Sequence, residues 1–157
     1  MTDHRYIVVI ADSSNEMKIA LDYACARSKK TGRKIIIATF VEPIDVLTTQ
    51  GVSEIMRNEA REEAESRLKE AASFVKNKIG ELPALSLREG ETISELKKLI
   101  DEEKNINVLV LAAKSDENSK DPGPIITSLV TNEITNLRVP IMIVPGNFSE
   151  EYISQIT

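Results

Sequence analysis

Residues 6–41 read YIVVIADSSNEMKIALDYACARSKKTGRKIIIATFV, and this stretch decides the fold. Tyr6–Ala11 (YIVVIA) is an unbroken, β-branched apolar run, the pattern of a strand buried on both faces. Asp12-Ser13-Ser14-Asn15 follows with the side chains that cap helices. Met17, Ala20, Leu21, Ala24, Cys25 and Ser28 then recur at three-to-four spacing, which predicts a helix with a small-residue face that ends at Gly32. Lys34–Val41 (KIIIATFV) is a second buried strand.

The alternation continues outward. After Glu42-Pro43 and a loop, Val52, Ile55, Met56, Ala60, Ala64, Leu68, Ala71, Val75 and Ile79 mark a long amphipathic helix closed by Gly80. Its other face is charged, and Glu63–Arg67 and Glu65–Lys69 stand as i,i+4 pairs in the favoured order. Leu82–Arg88 is a weaker strand whose Pro83 suits a sheet edge or a strand's first residues. Thr92-Ile93-Ser94-Glu95 has the form of a capping box, and Ile93, Leu96, Leu99 and Ile100 form the buried stripe of a third helix. Asn107–Ala113 is a fourth strand. Ile125, Ile126, Leu129, Val130, Ile134 and Leu137 define a fourth helix with Pro124 in its first turn. Val139–Val144 is a fifth strand, ended by Pro145-Gly146, and Ser149-Glu150-Glu151 starts a short helix in the tail. Five strands alternating with four helices mean a doubly wound α/β sandwich with a mostly parallel sheet. We expect one domain over residues 1–157, with residues 1–4 as an arm and 147–157 as a C-terminal tail.

Composition narrows the function. A chain of 157 residues buries about two thirds of its unfolded surface, so disulfides and metals are not needed to hold it together. The single cysteine, Cys25, falls on the inner face of the first helix and reads as a small core residue. The net charge is −5 with both signs interspersed, which does not suit nucleic acid. The densest basic stretch, Arg27 to Lys34, lies where the first helix ends and complements its dipole. No apolar run approaches the roughly 18 residues of a membrane span, and Tyr6–Ala11 is too short for a signal peptide. The expectation is a cytoplasmic protein with no membrane partner.

In such folds ligands bind beyond the C-terminal ends of the strands, where strand order reverses. Two loops qualify. One follows the first strand and carries Asp12, Ser13 and Ser14. The other follows the fourth strand and runs from Lys114 to Gly123, long and charged enough to be a site or interface rather than a plain connection. Neither carries G-x-x-x-x-G-K-[ST] or G-x-G-x-x-G, so those phosphate cradles are excluded. His4, the only histidine, lies in the arm, so no Ser/His/Asp arrangement and no zinc cluster can be built. No catalytic residue and no metal site is expected. Asp12 is read equally as a helix cap or a ligand contact, and Asp121-Pro122-Gly123-Pro124 as a rigid turn.

The chain resembles the universal stress protein family over nearly its whole length. The resemblance lies in ADSS before a small-residue helix, ATFVEP at the second strand's end, REGETISELKKLIDEEKNINVLVLAA, and the closing TSLVTNEITNLRVPIMIVPG. It implies a five-stranded parallel sheet in the order 3-2-1-4-5, of the adenine nucleotide alpha hydrolase-like fold. It implies a stress-response or interaction module, a homodimer through the last strand (Val139, Pro140, Ile141, Met142, Ile143 and Val144), and ATP as the cofactor of some members. Nucleotide-binding members carry G-x2-G-x9-G-[ST] after the fourth strand. Carried over, the first glycine falls on Ala112, the second on Ser115, the third on Thr127 and the [ST] position on Ser128. Eleven residues separate Ser115 from Thr127. Asp12 matches an aspartate that contacts ribose or adenine, Phe40 an adenine-pocket residue and Ile10 a pocket wall. Ser13 and Gly123 complete the candidate set.

Every motif glycine is thus replaced, which removes the positive φ and close backbone approach that phosphate binding uses. The charges of Lys114, Asp116, Glu117, Lys120 and Asp121 sum to −1, an unfavourable field for a polyphosphate. The Pro-Gly-Pro loop resembles a bacterial subgroup rather than the ATP-binding type. Two readings stay open, a non-enzymatic interaction or sensing module and an ATP binder with weak or no hydrolysis. A flavin carrier of the same architecture ranks behind both.

Overall fold

The computed structural model describes residues 5–43, 50–116 and 118–157; His4 therefore lies outside the described residues. The elements are β1 (Tyr6–Ile10), α1 (Met17–Thr31), β2 (Lys34–Val41), α2 (Gln50–Ile79), β3 (Ala84–Glu89), α3 (Thr92–Glu102), β4 (Ile106–Ala113), α4 (Pro124–Ser128), β5 (Ile141–Pro145) and α5 (Glu150–Ile156). The five strands form one sheet in the order β3-β2-β1-β4-β5, every pair parallel. The strand order expected from the resemblance is the observed one, and β1 and β4 are neighbours.

Side chains alternate across the sheet as the period of two requires. Ile7, Val9, Ile35, Ile37 and Val110 point to the face covered by α1 and α2, where they meet Ala20, Leu21, Ala24 and Val75. Val8, Ile10, Ile36, Leu109 and Leu111 point to the other face, where Leu96, Leu99, Ile100 and Leu129 cover them. Cys25 is buried in the first layer, and burial pushes its thiol up to about 12. Arg138 ties the second layer together by donating to the carbonyls of Ile100, Glu103 and Ile106, a cation against the C-terminal end of α3. The tail helix α5 is capped by Ser149, whose hydroxyl accepts from Tyr152 N at 3.1 Å. It buries Ile153 and is linked through Glu150 and Lys78 to Asp22 of α1. Among the described residues no helix is long and apolar enough to cross a membrane.

Several details differ from the sequence reading. Strand boundaries move by one or two residues. α3 is capped by Glu91, one residue before the expected Thr92: its carboxylate accepts from Ile93 N and Ser94 N at 3.2 and 2.7 Å. Thr92 is diverted to Glu42, 3.0 Å from its hydroxyl. Asp12 does not cap α1, whose N-cap position is Glu16 without a side-chain bond. Arg67 turns from Glu63 to Thr39, with 3.3 Å between Nη2 and Oγ1, and among the described residues of this helix Arg61 and Glu65 form an i,i+4 pair at 3.5 Å. Val52, Ile55 and Met56 are exposed rather than buried. The reason is length: a 30-residue helix runs about 45 Å, and an eight-residue strand about 26 Å, so α2 outruns the sheet. The fourth helix is a composite. α4 gives way to a π turn at Leu129–Glu133 and a 3₁₀ turn at Ile134–Asn136, with Glu133 held 2.8 Å from Lys97. The changed winding leaves Val130 and Ile134 exposed.

Candidate functional site

At the C-terminal ends of β1 and β4 the chain leaves the sheet in two directions, towards α1 and towards α4. The opening between them is a cavity of about 350 Å³. Ile10, Leu111, Ile125 and Ile126 form one apolar wall, and Met17 and Ala20 the other. Asp12, Ser13, Glu16, Ala112, Lys114 and Gly123 stand around the rim.

The β1 side is fixed by local bonds. Ala11 N donates to Ala38 O at 2.8 Å, and Thr39 Oγ1 donates to Ala11 O at 2.8 Å. Asp12 then accepts from Ser14 N at 2.9 Å and from the Ser14 hydroxyl, all through Oδ1. This Asx turn holds the carboxylate at the rim instead of on the helix. The β4 side is a pinched excursion. Lys114 N donates to Pro122 O at 2.9 Å and closes its base. Within it Asn118 N donates to Asp116 Oδ1, and Asp121 N to Ser119 Oγ. Gly123, at φ +113°, redirects the chain into α4, a conformation other residues rarely adopt. Its amide donates to Asp121 Oδ1 at 3.0 Å, and the Thr127 hydroxyl lies 3.4 Å from the same oxygen.

The topology thus brings Ile10, Asp12, Ser13, Ala112 and Gly123 to one cavity. Phe40, Ser115, Thr127 and Ser128 do not line it. Phe40 packs into the layer under α3 and α4, and Ser115 is exposed on the excursion. Ile126 takes the inward position on α4, which carries Thr127 and Ser128 about 100° and 200° round the helix. Ser128 opens on a different hollow beside Glu91 and Lys97.

Met17, Glu16, Lys114 and Ile125 line the cavity without having been singled out. Lys114 could have been found as the first residue past β4; Met17 only by knowing how far α1 leans over the strand ends. Arg67 also escaped notice. It lines a second, open hollow of about 500 Å³ with Asp12, Lys18, Glu63 and Glu70, and its buried Nε has no hydrogen-bond partner. Among the residues lining the β1–β4 cavity, Asp12 and Glu16 oppose the cation Lys114. An apolar slot with an acidic rim can hold a flat, hydroxyl-bearing molecule, with the carboxylates as acceptors. Among the described residues no group of three or more His, Cys, Asp or Glu is placed to hold a metal ion.

Comparison with known proteins agrees with this fold. The model of the universal stress protein family matches residues 4–145. No curated protein matches the chain. Among solved structures it is similar to universal stress protein UspA from Lactobacillus plantarum, at 14% identity and TM-score 0.74, over 92% of this chain and 99% of that one. It is similar to a universal stress protein in complex with cAMP, at 20% identity and TM-score 0.61, over 93% of this chain and 100% of that one. A third is the universal stress protein from Archaeoglobus fulgidus in complex with dAMP, at 16% identity and TM-score 0.61, over 91% of this chain and 99% of that one. At these identities the structures speak to the fold. The family match spans most of the sequence, and the chain belongs to the universal stress protein family.

Proposed function

We propose that this chain is a non-enzymatic stress-response module of the cytoplasm that works as a homodimer and senses a small adenine-type ligand in the β1–β4 crevice. The observation that carries the reading is the cavity itself, formed between two loops at the strand ends and lined by apolar walls beneath Asp12. Two similar structures hold cAMP and dAMP, which makes an adenine compound the first ligand to try. The reading is non-catalytic because Asp12 already engages Ser14 through Oδ1, and a turn-forming carboxylate suits holding a ligand better than moving a proton. The dimer rests on β5, an edge strand without a charged residue and with Met142 and Ile143 41% and 38% exposed.

Native mass spectrometry of protein taken directly from cells tests the reading. An adduct of nucleoside or nucleotide mass, released on denaturation and unaltered by incubation with magnesium, is expected. Bare protein that also fails to take up added adenine compounds would contradict it, and steady phosphate release from ATP would contradict the non-catalytic part.

A further inference from the structure

We infer that Arg67 is an oxyanion-binding residue, and that the open hollow it lines beside the β1–β4 crevice takes a single phosphate group on its guanidinium. Such a group belongs either to a crevice ligand or to a free anion, so the assignment goes beyond the adenine reading and stands without it.

Arg67 is placed by β2. Thr39 is buried, donates its hydroxyl hydrogen to Ala11 O at 2.8 Å, and accepts from Arg67 Nη2 at 3.3 Å. The guanidinium therefore sits where the chain leaves β1, at the C-terminal ends of the strands, where sheets of this kind bind ligands. Its donors are poorly matched there. The Thr39 contact is long, and Nε is buried with no acceptor. Among the described residues Arg67 forms no ion pair, although Glu63 and Glu70 of its own helix line the same hollow. Other arginines of this chain are matched: Arg57 and Arg61 engage Glu89, Arg88 engages Glu102, and Arg138 donates to carbonyls at the end of α3. A half-buried cation with unmade hydrogen bonds is costly to keep. A forked guanidinium is also the side chain that best fits the oxygens of a phosphate.

The surrounding charges set the kind of anion. Lys18 and Arg67 face three carboxylates, Asp12, Glu63 and Glu70. Lys18, Glu63 and Glu70 are exposed, so water and salt screen them, and Asp12 is already engaged with Ser14. Two cations against three anions do not draw in a polyphosphate. A single phosphate group gains instead from direct contact with one guanidinium. The hydroxyls of Ser13 and Ser66 and the amide of Asn15 line the same hollow as further donors. The hollow, about 500 Å³, shares Asp12, Ser13, Ser14 and Met17 with the crevice.

Isothermal titration of the full chain with inorganic phosphate, adenosine and AMP, in wild type, Arg67→Gln and Arg61→Gln, is the test. Arg61 lies on the same helix but is paired with Glu89, so its substitution controls for net charge. Wild type should bind a phosphate-bearing probe, and Arg67→Gln should weaken that binding about tenfold while leaving adenosine unchanged. Arg61→Gln should move none of the three. AMP binding about tenfold more tightly than adenosine, a margin lost in Arg67→Gln, marks the phosphate as part of a crevice ligand. Inorganic phosphate that still binds with adenosine saturating marks it as a free anion. Arg67→Lys keeps the charge without the fork; it should lose part of the affinity, and it replaces the glutamine variant if that one does not fold. Phosphate and AMP affinities that the Arg67 variants leave at the wild-type value would overturn the inference, and so would an equal loss in Arg61→Gln. So would a wild type that binds no inorganic phosphate and holds AMP no more tightly than adenosine. An Arg67-dependent phosphate response without any adenosine binding would support the inference and remove the adenine reading instead.

Discussion

At the scale of single residues, Gly146 shows how closely the crevice is built. A Cβ placed on it would lie 2.1 Å from Ala113 O and 2.6 Å from Glu16 Cγ. The chain leaving β5 passes that near the end of β4 and the start of α1, and a methyl group has no room. Gly146→Ala should lower unfolding free energy by about 1–3 kcal/mol in urea titration, the usual cost of forcing an added group into a filled space. Because Glu16 lines the crevice and Ala113 adjoins it, ligand affinity should fall as well. A change within about 0.5 kcal/mol, the ordinary surface range, would show the contact to be slack. This requirement was not legible in the sequence, where Pro145-Gly146 reads only as a strand's end; the obstacle comes from two distant segments. Asp12 was half legible. Its place after the first strand identified it, but whether it would cap α1 or turn onto Ser14 depended on how the loop enters the helix.

At the scale of elements, α3 offers a pH-dependent check. Hydrogen bonds from the Ser94 amide first, then the Ser94 hydroxyl and the Ile93 amide, hold the Glu91 carboxyl below its ordinary value of 4.5. A depressed carboxylate contributes stability that is complete above the ordinary value and lost as pH falls through the folded one. Glu91→Gln should therefore destabilise the protein at neutral pH by about 1 kcal/mol or less, a capping loss at an exposed site. The gap between the two proteins should begin to narrow below pH 4.5 and be gone once pH has fallen below the lowered folded value, where both side chains are neutral. A gap that persists in acid would show that shape, not charge, makes the cap. The strands were legible because continuous β-branched runs have one use in a parallel sheet. Two features were not. Periodicity marks α2's apolar stripe through Val52, Ile55 and Met56, but it does not know where the sheet stops. The same periodicity runs evenly from Ile125 to Leu137, while the π turn at Leu129–Glu133 depends on packing that no local pattern records.

At the scale of the whole molecule, the two sheet edges are treated differently. β3 carries Arg88 and Glu89, engaged with Glu102 and with Arg57 and Arg61, and charges of this kind keep an edge from pairing. β5 carries IMIVP. Sedimentation equilibrium should give a dimer, and Met142→Glu with Ile143→Glu should give a monomer with an unchanged circular dichroism spectrum. A wild-type monomer at high concentration would count against β5 as an interface. The position of the crevice was the most legible part of the site, since strand order alone sets Asp12 beside the Lys114–Gly123 excursion. Its lining was the least legible, because Ile126 takes the inward position on α4 and Thr127 and Ser128 do not line the cavity, a rotation that no local pattern records.

The central claim is that the slot between the β1 and β4 loops receives a small ligand. Backbone amide chemical shifts followed during titration with adenosine test it most directly. The account predicts saturable shifts concentrated in Ala11–Ala20 and Lys114–Ile126, with β3 and the start of α2 unmoved. Shifts centred on those distant segments, or none at all at millimolar ligand, would contradict it.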